Sequence, residues 1–173
     1  MVRYKLQIIT LLTIGLTVLS ITVFFVSAND KSQITLFFLD DSSYTLKQEK
    51  RNVDMPDDGI EKMKVVIENL IAGSKENLIS VVPQDTKLKE IFFDKPNKIV
   101  YVDFSDNLRK DHINGTTAEL STIQSIFKTL QANFPQTIDM VQILIDGSEI
   151  DTLTGHIDLS QPLPINIFEK KGK

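Results

Sequence analysis

The chain has 173 residues, 42% of them hydrophobic and 8% aromatic, enough for one domain with a packed core plus an appendage. It has no cysteine and only two histidines, which excludes disulfides, thiol nucleophiles, lipoprotein acylation, thiolate metal sites and a multi-histidine metal centre. Residues 1–28 carry two basic side chains and no acid, leaving 17 basic against 23 acidic side chains in the remainder, a net charge of −6 that repels nucleic acid and wall polyanions at long range.

Residues 6–26 are 21 uncharged positions rich in Leu, Ile, Val and Phe. A helix of about 20 such residues spans the hydrocarbon layer of a membrane. Arg3 and Lys5 precede the stretch and Asp30 follows it, which keeps the N-terminus in the cytoplasm and sends the rest across. A buried core helix is the plain alternative, but no face of the stretch is polar enough to meet water. Val26-Ser27-Ala28 has the small-residue pattern of a signal-peptidase site, whereas the apolar run exceeds the about 7–15 residues of a signal h-region. Residues 1–28 therefore read as a single-pass signal-anchor of the bacterial inner membrane. Cleavage after Ala28 would instead release a secreted domain.

Residues 32–166 read as one domain, followed by a tail over 167–173. The apolar run 34–39, ended by Asp40-Asp41-Ser42-Ser43, predicts a strand and a turn. Residues 44–53 predict a second, more exposed strand with an edge open to a neighbour. Pro56-Asp57-Asp58 supplies helix-start chemistry, and Ile60, Met63, Ile67, Leu70 and Ile71 follow at helical spacing until Gly73. Residues 88–93 and 98–104 flank Asp94-Lys95-Pro96-Asn97 as a hairpin. Thr116 and Glu119 have the spacing of a capping box ahead of the stripe Leu120, Ile123, Phe127, Leu130 and Phe134, which Pro135 ends. Residues 140–145 alternate, turn at Asp146-Gly147-Ser148 and run into 149–153. The order β-β-α-β-β-α-β-β predicts an α+β two-layer sandwich, a mixed or antiparallel sheet with two helices on one face.

Candidate chemistry is sparse. In 154–160, His156 with Asp158 has the makings of a general base and its orienting acid. No nucleophile elbow or oxyanion-type glycine motif accompanies it, and the pair reads better as pins for an irregular loop. Asp103, in Val102-Asp103-Phe104-Ser105-Asp106, lacks the ligand ladder and turn glycine of a calcium loop, and suits a capped turn near Asn107 and Leu108. Asp40, Asp41, Asp54, Asp57 and Asp58 lie in turns and at a helix start, where acids are ordinary. Asn114-Gly115-Thr116 matches a glycosylation sequon by chance. No residue is assigned as catalytic, cofactor-binding or metal-binding.

Several segments together resemble the GerMN domain, a sporulation and germination module, over residues 33–163. They are Ile34-Thr35-Leu36-Phe37-Phe38 with Asp40, Leu70-Ile71-Ala72-Gly73, and Val82-Pro83 with Thr86 and Leu88. The most specific are Val100-Tyr101-Val102-Asp103-Phe104-Ser105, the Gly115-started helix with Glu119, and Val141-Gln142-Ile143-Leu144-Ile145-Asp146-Gly147. Thr152-Leu153, Gly155-His156-Ile157-Asp158, Ser160 and Pro162-Leu163 complete the pattern. The chain departs from it at Ser74, where the family usually has proline, and at Asp85, where it usually has glycine. It also has one domain and no cysteine, whereas the sporulation member is similar to a tandem on a lipoprotein anchor.

The resemblance implies an extracytoplasmic module of envelope complexes, similar in shape to ring-building domains, with no catalytic activity and no cofactor. The expected role is that of a scaffold or interaction domain, binding envelope proteins or itself and held to the membrane by its N-terminal helix, with no nucleic-acid partner. A cell-wall glycan or small-ligand-binding domain is the alternative, although glycan platforms usually use aromatics and the chain has no Trp. A hydrolase built on His156 and Asp158 is the third reading.

Overall fold

The computed structural model describes residues 31–169. The stretch 6–26, expected to cross a membrane, lies outside them. Among the described residues no helix is long and apolar enough to do so.

Strands β1 (Lys31–Asp40) and β2 (Thr45–Asp54) form a hairpin that stands as a two-stranded sheet. The period of two along β1 buries Ile34, Leu36 and Phe38. Asp40 holds the turn, accepting from Ser42 Oγ at 2.8 Å and Ser43 Oγ at 2.6 Å and pairing with Lys47 at 2.8 Å. Helix α1 (Gly59–Ile71) starts at Asp58, whose carboxylate accepts from the Ile60 and Glu61 amides. It buries Met63, Val66, Ile67 and Leu70, and ends before Gly73, which sits at φ 85.

Strands β3 (Leu88–Asp94) and β4 (Ile99–Phe104) pair antiparallel, with a register shift between Leu88 and Glu90. A single turn, α2 (Asn107–Lys110), leads to the long helix α3 (Thr116–Asn133). The chain then returns as β5 (Met140–Ile145), parallel to β4, with Ile99 opposite Met140 and Phe104 opposite Ile145. A helical crossover makes that parallel pairing geometrically available. Asp146 at φ 50 and Gly147 at φ 77 form a tight two-residue turn into β6 (Ser148–Glu149). Strand β7 (Leu163–Pro164) pairs with the first half of β5.

The fold mixes α and β as the sequence implied, but the layout differs in two respects. The strands divide into two sheets, the β1–β2 hairpin and a mixed sheet ordered β3-β4-β5-β6. The last hairpin arm, expected over 149–153, stops after Glu149 because Ile150 and Leu153 turn into the core instead of extending the ladder.

One core joins the pieces: Ile34, Leu36 and Phe38, the buried faces of α1 and α3, and the alternating Val100, Val102, Phe104, Val141, Ile143 and Ile145. Full burial of each such side chain is worth about 1.5–3 kcal/mol. Phe168, within the stretch read as a tail, packs edge-on against Phe127 with ring centroids 5.6 Å apart. Four buried α3 residues are polar or charged, Glu119, Thr122, Ser125 and Thr129, and the last three each bond to main chain elsewhere. Thr122 Oγ1 donates to Val81 O at 2.7 Å, Ser125 Oγ donates to Phe37 O at 2.7 Å, and Thr129 Oγ1 accepts from Phe37 N at 3.1 Å.

Candidate functional site

A groove of about 460 Å³ runs between residues 79–83 and the loop that leads into α3. That volume lies within the range of small-molecule sites, about 300–1,000 Å³. Leu39, Ile79, Val81 and Pro83 form one wall, and residues 111–118 with Ser121 and Thr122 form the other. The first wall is fixed by Leu39 and Ile79, which exchange main-chain hydrogen bonds of 3.0 and 2.8 Å. The second is fixed by His112, a buried residue that the sequence reading did not single out. Its Nδ1 meets Ile113 O at 2.7 Å and its Nε2 meets Thr122 Oγ1 at 2.9 Å. Ile79 and Ile113 remain 42% and 78% exposed at the rim, which gives the groove an apolar approach. Gly115 occupies the N-cap of α3 at φ 128, and no side chain caps the first turn.

The capping box expected from Thr116 and Glu119 is therefore not formed. Glu119 is fully buried and turned the other way, onto residues 153–157. Its carboxylate accepts from Leu153 N at 3.0 Å, Thr154 Oγ1 at 2.8 Å, His156 N at 3.0 Å and Ile157 N at 3.4 Å. Burial alone would raise its pKa. The Thr154 hydroxyl and the loop amides outweigh that, and the net shift is downward. Gln142, 1% exposed, adds a second anchor by donating to Leu159 O at 2.7 Å. Tertiary use of a carboxylate beats local capping here because four donors converge on it.

These anchors correct the reading of His156, whereas Asp158 does pin the loop locally through a backbone hydrogen bond. Both side chains are exposed. The His156 ring makes no hydrogen bond among the described residues; its main-chain N–H is what Glu119 holds. Asp158 Oδ1 accepts from Ser160 N at 3.0 Å and Ser160 Oγ at 2.6 Å, a local turn that does not reach the imidazole. Across the fold, the loop is pinned by a glutamate from α3. Asp103 likewise does not serve the turn at Asn107 and Leu108. It is buried and accepts from Gly147 N at 2.9 Å, tying β4 to the β5–β6 turn. Asp106 starts α2 and pairs with Arg109 and Lys110.

Two of the acids in the turns and at the helix start have structural duties. Asp40 holds its turn and Asp58 caps α1. Burial would raise the Glu49 pKa, but Arg51, Ser74 and Lys75 lower it overall. Arg51 also donates to Asn69 O at 3.0 Å and Gly73 O at 2.9 Å, so the pair fastens the end of α1 to β2. Ser74, where the family pattern has proline, donates to Glu49 Oε2 at 2.7 Å. Among the described residues no three acid or histidine side chains gather as a metal site.

The family model described as Germane, sporulation and spore germination, matches residues 35–151. The chain belongs to the Germane family. The resemblance to the GerMN domain is thus borne out. Among solved structures, a putative lipoprotein from Clostridium perfringens is 26% identical, with a TM-score of 0.52 over 78% of this chain and 87% of that one. The first GerMN domain of the sporulation protein GerM from Bacillus subtilis is 21% identical, with a TM-score of 0.58 over 77% of this chain and 97% of that one. The tandem GerMN domains of the same protein are 17% identical, with a TM-score of 0.57 over 78% of this chain. This chain spans 46% of the tandem's length, and at these identities the two GerM likenesses establish the fold alone. No curated protein matches the chain. The Germane match ends at residue 151, just before the segment that Glu119 holds.

Proposed function

We propose that this Germane domain is a non-enzymatic interaction module of the bacterial envelope, acting outside the cytoplasm and tethered by residues 1–28. It works by contact with envelope proteins or with further copies of itself. The observation that carries this reading is the commitment of the chemistry-bearing side chains. Glu119, His112, Asp103 and the Glu49–Arg51 pair are all engaged in holding backbone, and Asp158 is bonded to Ser160 rather than to the His156 ring. The apolar stretch 6–26 supports the tether, and the likeness to a Clostridium perfringens protein described as a putative lipoprotein supports an envelope setting. Strand β2 is a poor docking edge, because Lys47, Glu49, Lys50 and Arg51 load it with the charges that discourage strand addition. The exposed Ile79 and Ile113 at the groove rim make a better contact surface.

Crosslinking of the membrane-bound protein tests the reading. Adducts with itself or with an envelope protein are expected, and recovery of monomer alone would count against it. A second reading, binding of a small ligand or wall glycan, is favoured by the groove volume. Strong retention on purified peptidoglycan would select that reading instead.

A further inference from the structure

Strand β1 has two long edges. One carries β2, and side chains close the other. Thr35 N donates to Asn133 Oδ1 at 3.0 Å, and Asn133 Nδ2 donates back to Thr35 O at 2.7 Å. Two residues on, Phe37 N donates to Thr129 Oγ1 at 3.1 Å, and Phe37 O accepts from Ser125 Oγ at 2.7 Å. Two further on, Leu39 exchanges its pair of main-chain bonds with Ile79. Four residues of helix advance about 6.0 Å and two residues of strand about 6.6–6.8 Å, so Thr129 and Asn133 keep step with Phe37 and Thr35, while Ser125 adds the second bond to Phe37. An asparagine amide offers the same donor and acceptor as a peptide group.

The strand so covered is the one that most needs cover. Residues 34–39, Ile-Thr-Leu-Phe-Phe-Leu, contain no charge, proline or glycine. That is the composition that stacks strand on strand between chains. The other sheet edges are managed differently. Short strands β6 and β7 lie along β5. On β3, the Ile91 amide is taken by Glu90 Oε1 at 3.0 Å, and that carboxylate is held by Lys64 at 2.7 Å. On β2, charge does the work.

We propose that Ser125, Thr129 and Asn133 form an edge guard, an intramolecular contact that occupies the place where β1 of a second copy of this chain would add. The guard is independent of the contact function proposed above. It makes uncontrolled β1-to-β1 pairing the event that α3 prevents.

The absence of cysteine gives a clean test. Gln33→Cys places a unique thiol on the exposed start of β1 in the full-length, detergent-purified chain. With the stripe intact, oxidation is expected to leave monomer. With Ser125→Ala, Thr129→Val and Asn133→Leu combined, a disulfide-linked dimer is expected to become the major species. Thr129→Val alone, which removes one of the four bonds, gives a smaller rise in the same dimer on a chain that keeps its fold. Ile126→Ala serves as the control, since it weakens the core and leaves the stripe in place; it is expected to give no dimer. Folded stripe variants that stay monomeric would overturn the proposal, and so would equal dimer from Ile126→Ala.

Discussion

Replacing Glu119 by Gln should be among the most damaging isosteric changes in the chain. The carboxylate is fully buried and serves four donors, three of them main-chain amides of residues 153–157. A glutamine keeps one oxygen and turns an NH₂ toward two of those donors, so about two bonds to a charged acceptor are lost and two donors face another donor. Hydrogen bonds to charged groups contribute about 1.5–3 kcal/mol each, and a buried donor left unmade costs about 1–3 kcal/mol. The His156 amide lies beside an exposed side chain and the Ile157 bond is long at 3.4 Å, which lets the loop recover some hydration and brings the expected loss to roughly 2–4 kcal/mol. Against a total of about 5–15 kcal/mol for a typical domain, that is readily measured by urea unfolding. The effect should also depend on pH. The folded-state pKa lies below the ordinary glutamate value of 4.5, so the stabilisation is complete above that value and is lost as pH falls through the folded pKa. The gap between parent and Glu119→Gln should therefore narrow on acidification. Equal urea midpoints at pH 7, or a gap that widens in acid, would refute the clamp.

Other outcomes follow from the same contacts. Arg51→Ala strands the buried Glu49 carboxylate and frees Asn69 O and Gly73 O; the expected loss is about 3–5 kcal/mol by urea unfolding, and Glu49→Leu with Arg51→Met should restore most of it. Gly73→Ala forces a side chain into φ 85 with its Cβ 2.9 Å from Ser80 Oγ, for an expected loss of ~1–2 kcal/mol in thermal unfolding from the backbone alone, with Ser80→Ala relieving only the added contact. His156→Ala removes an exposed ring, and calorimetry should find stability within about 0.5 kcal/mol of the parent.

Sequence patterns made the elements legible where periodicity and punctuation agreed. The run 34–39 lies inside β1, the Asp58 start and Gly73 stop bracket α1, and residues 140–145 are β5. The topology was less legible. Nothing local in residues 99–104 says that their second neighbour arrives parallel after α3. Polar residues on α3 were the least legible. Glu119 reads as a local cap, and Ser125, Thr129 and Asn133 carry no reading at all, because the groups they serve lie 34–98 positions away in the chain. The i, i+4, i+8 spacing of small polar residues on an otherwise buried helix was the available signal. His112 carried none, since its partners are one carbonyl and one threonine.

The central claim is that this domain acts through contact at its surface. Photoreactive residues placed in living cells at Ile79 and Ile113, with one at Phe92 on the mixed sheet for comparison, test it most directly. The account predicts protein adducts at the two groove-rim positions and fewer at Phe92. No adduct at either rim position, together with turnover of a substrate by the purified full-length chain, would contradict it.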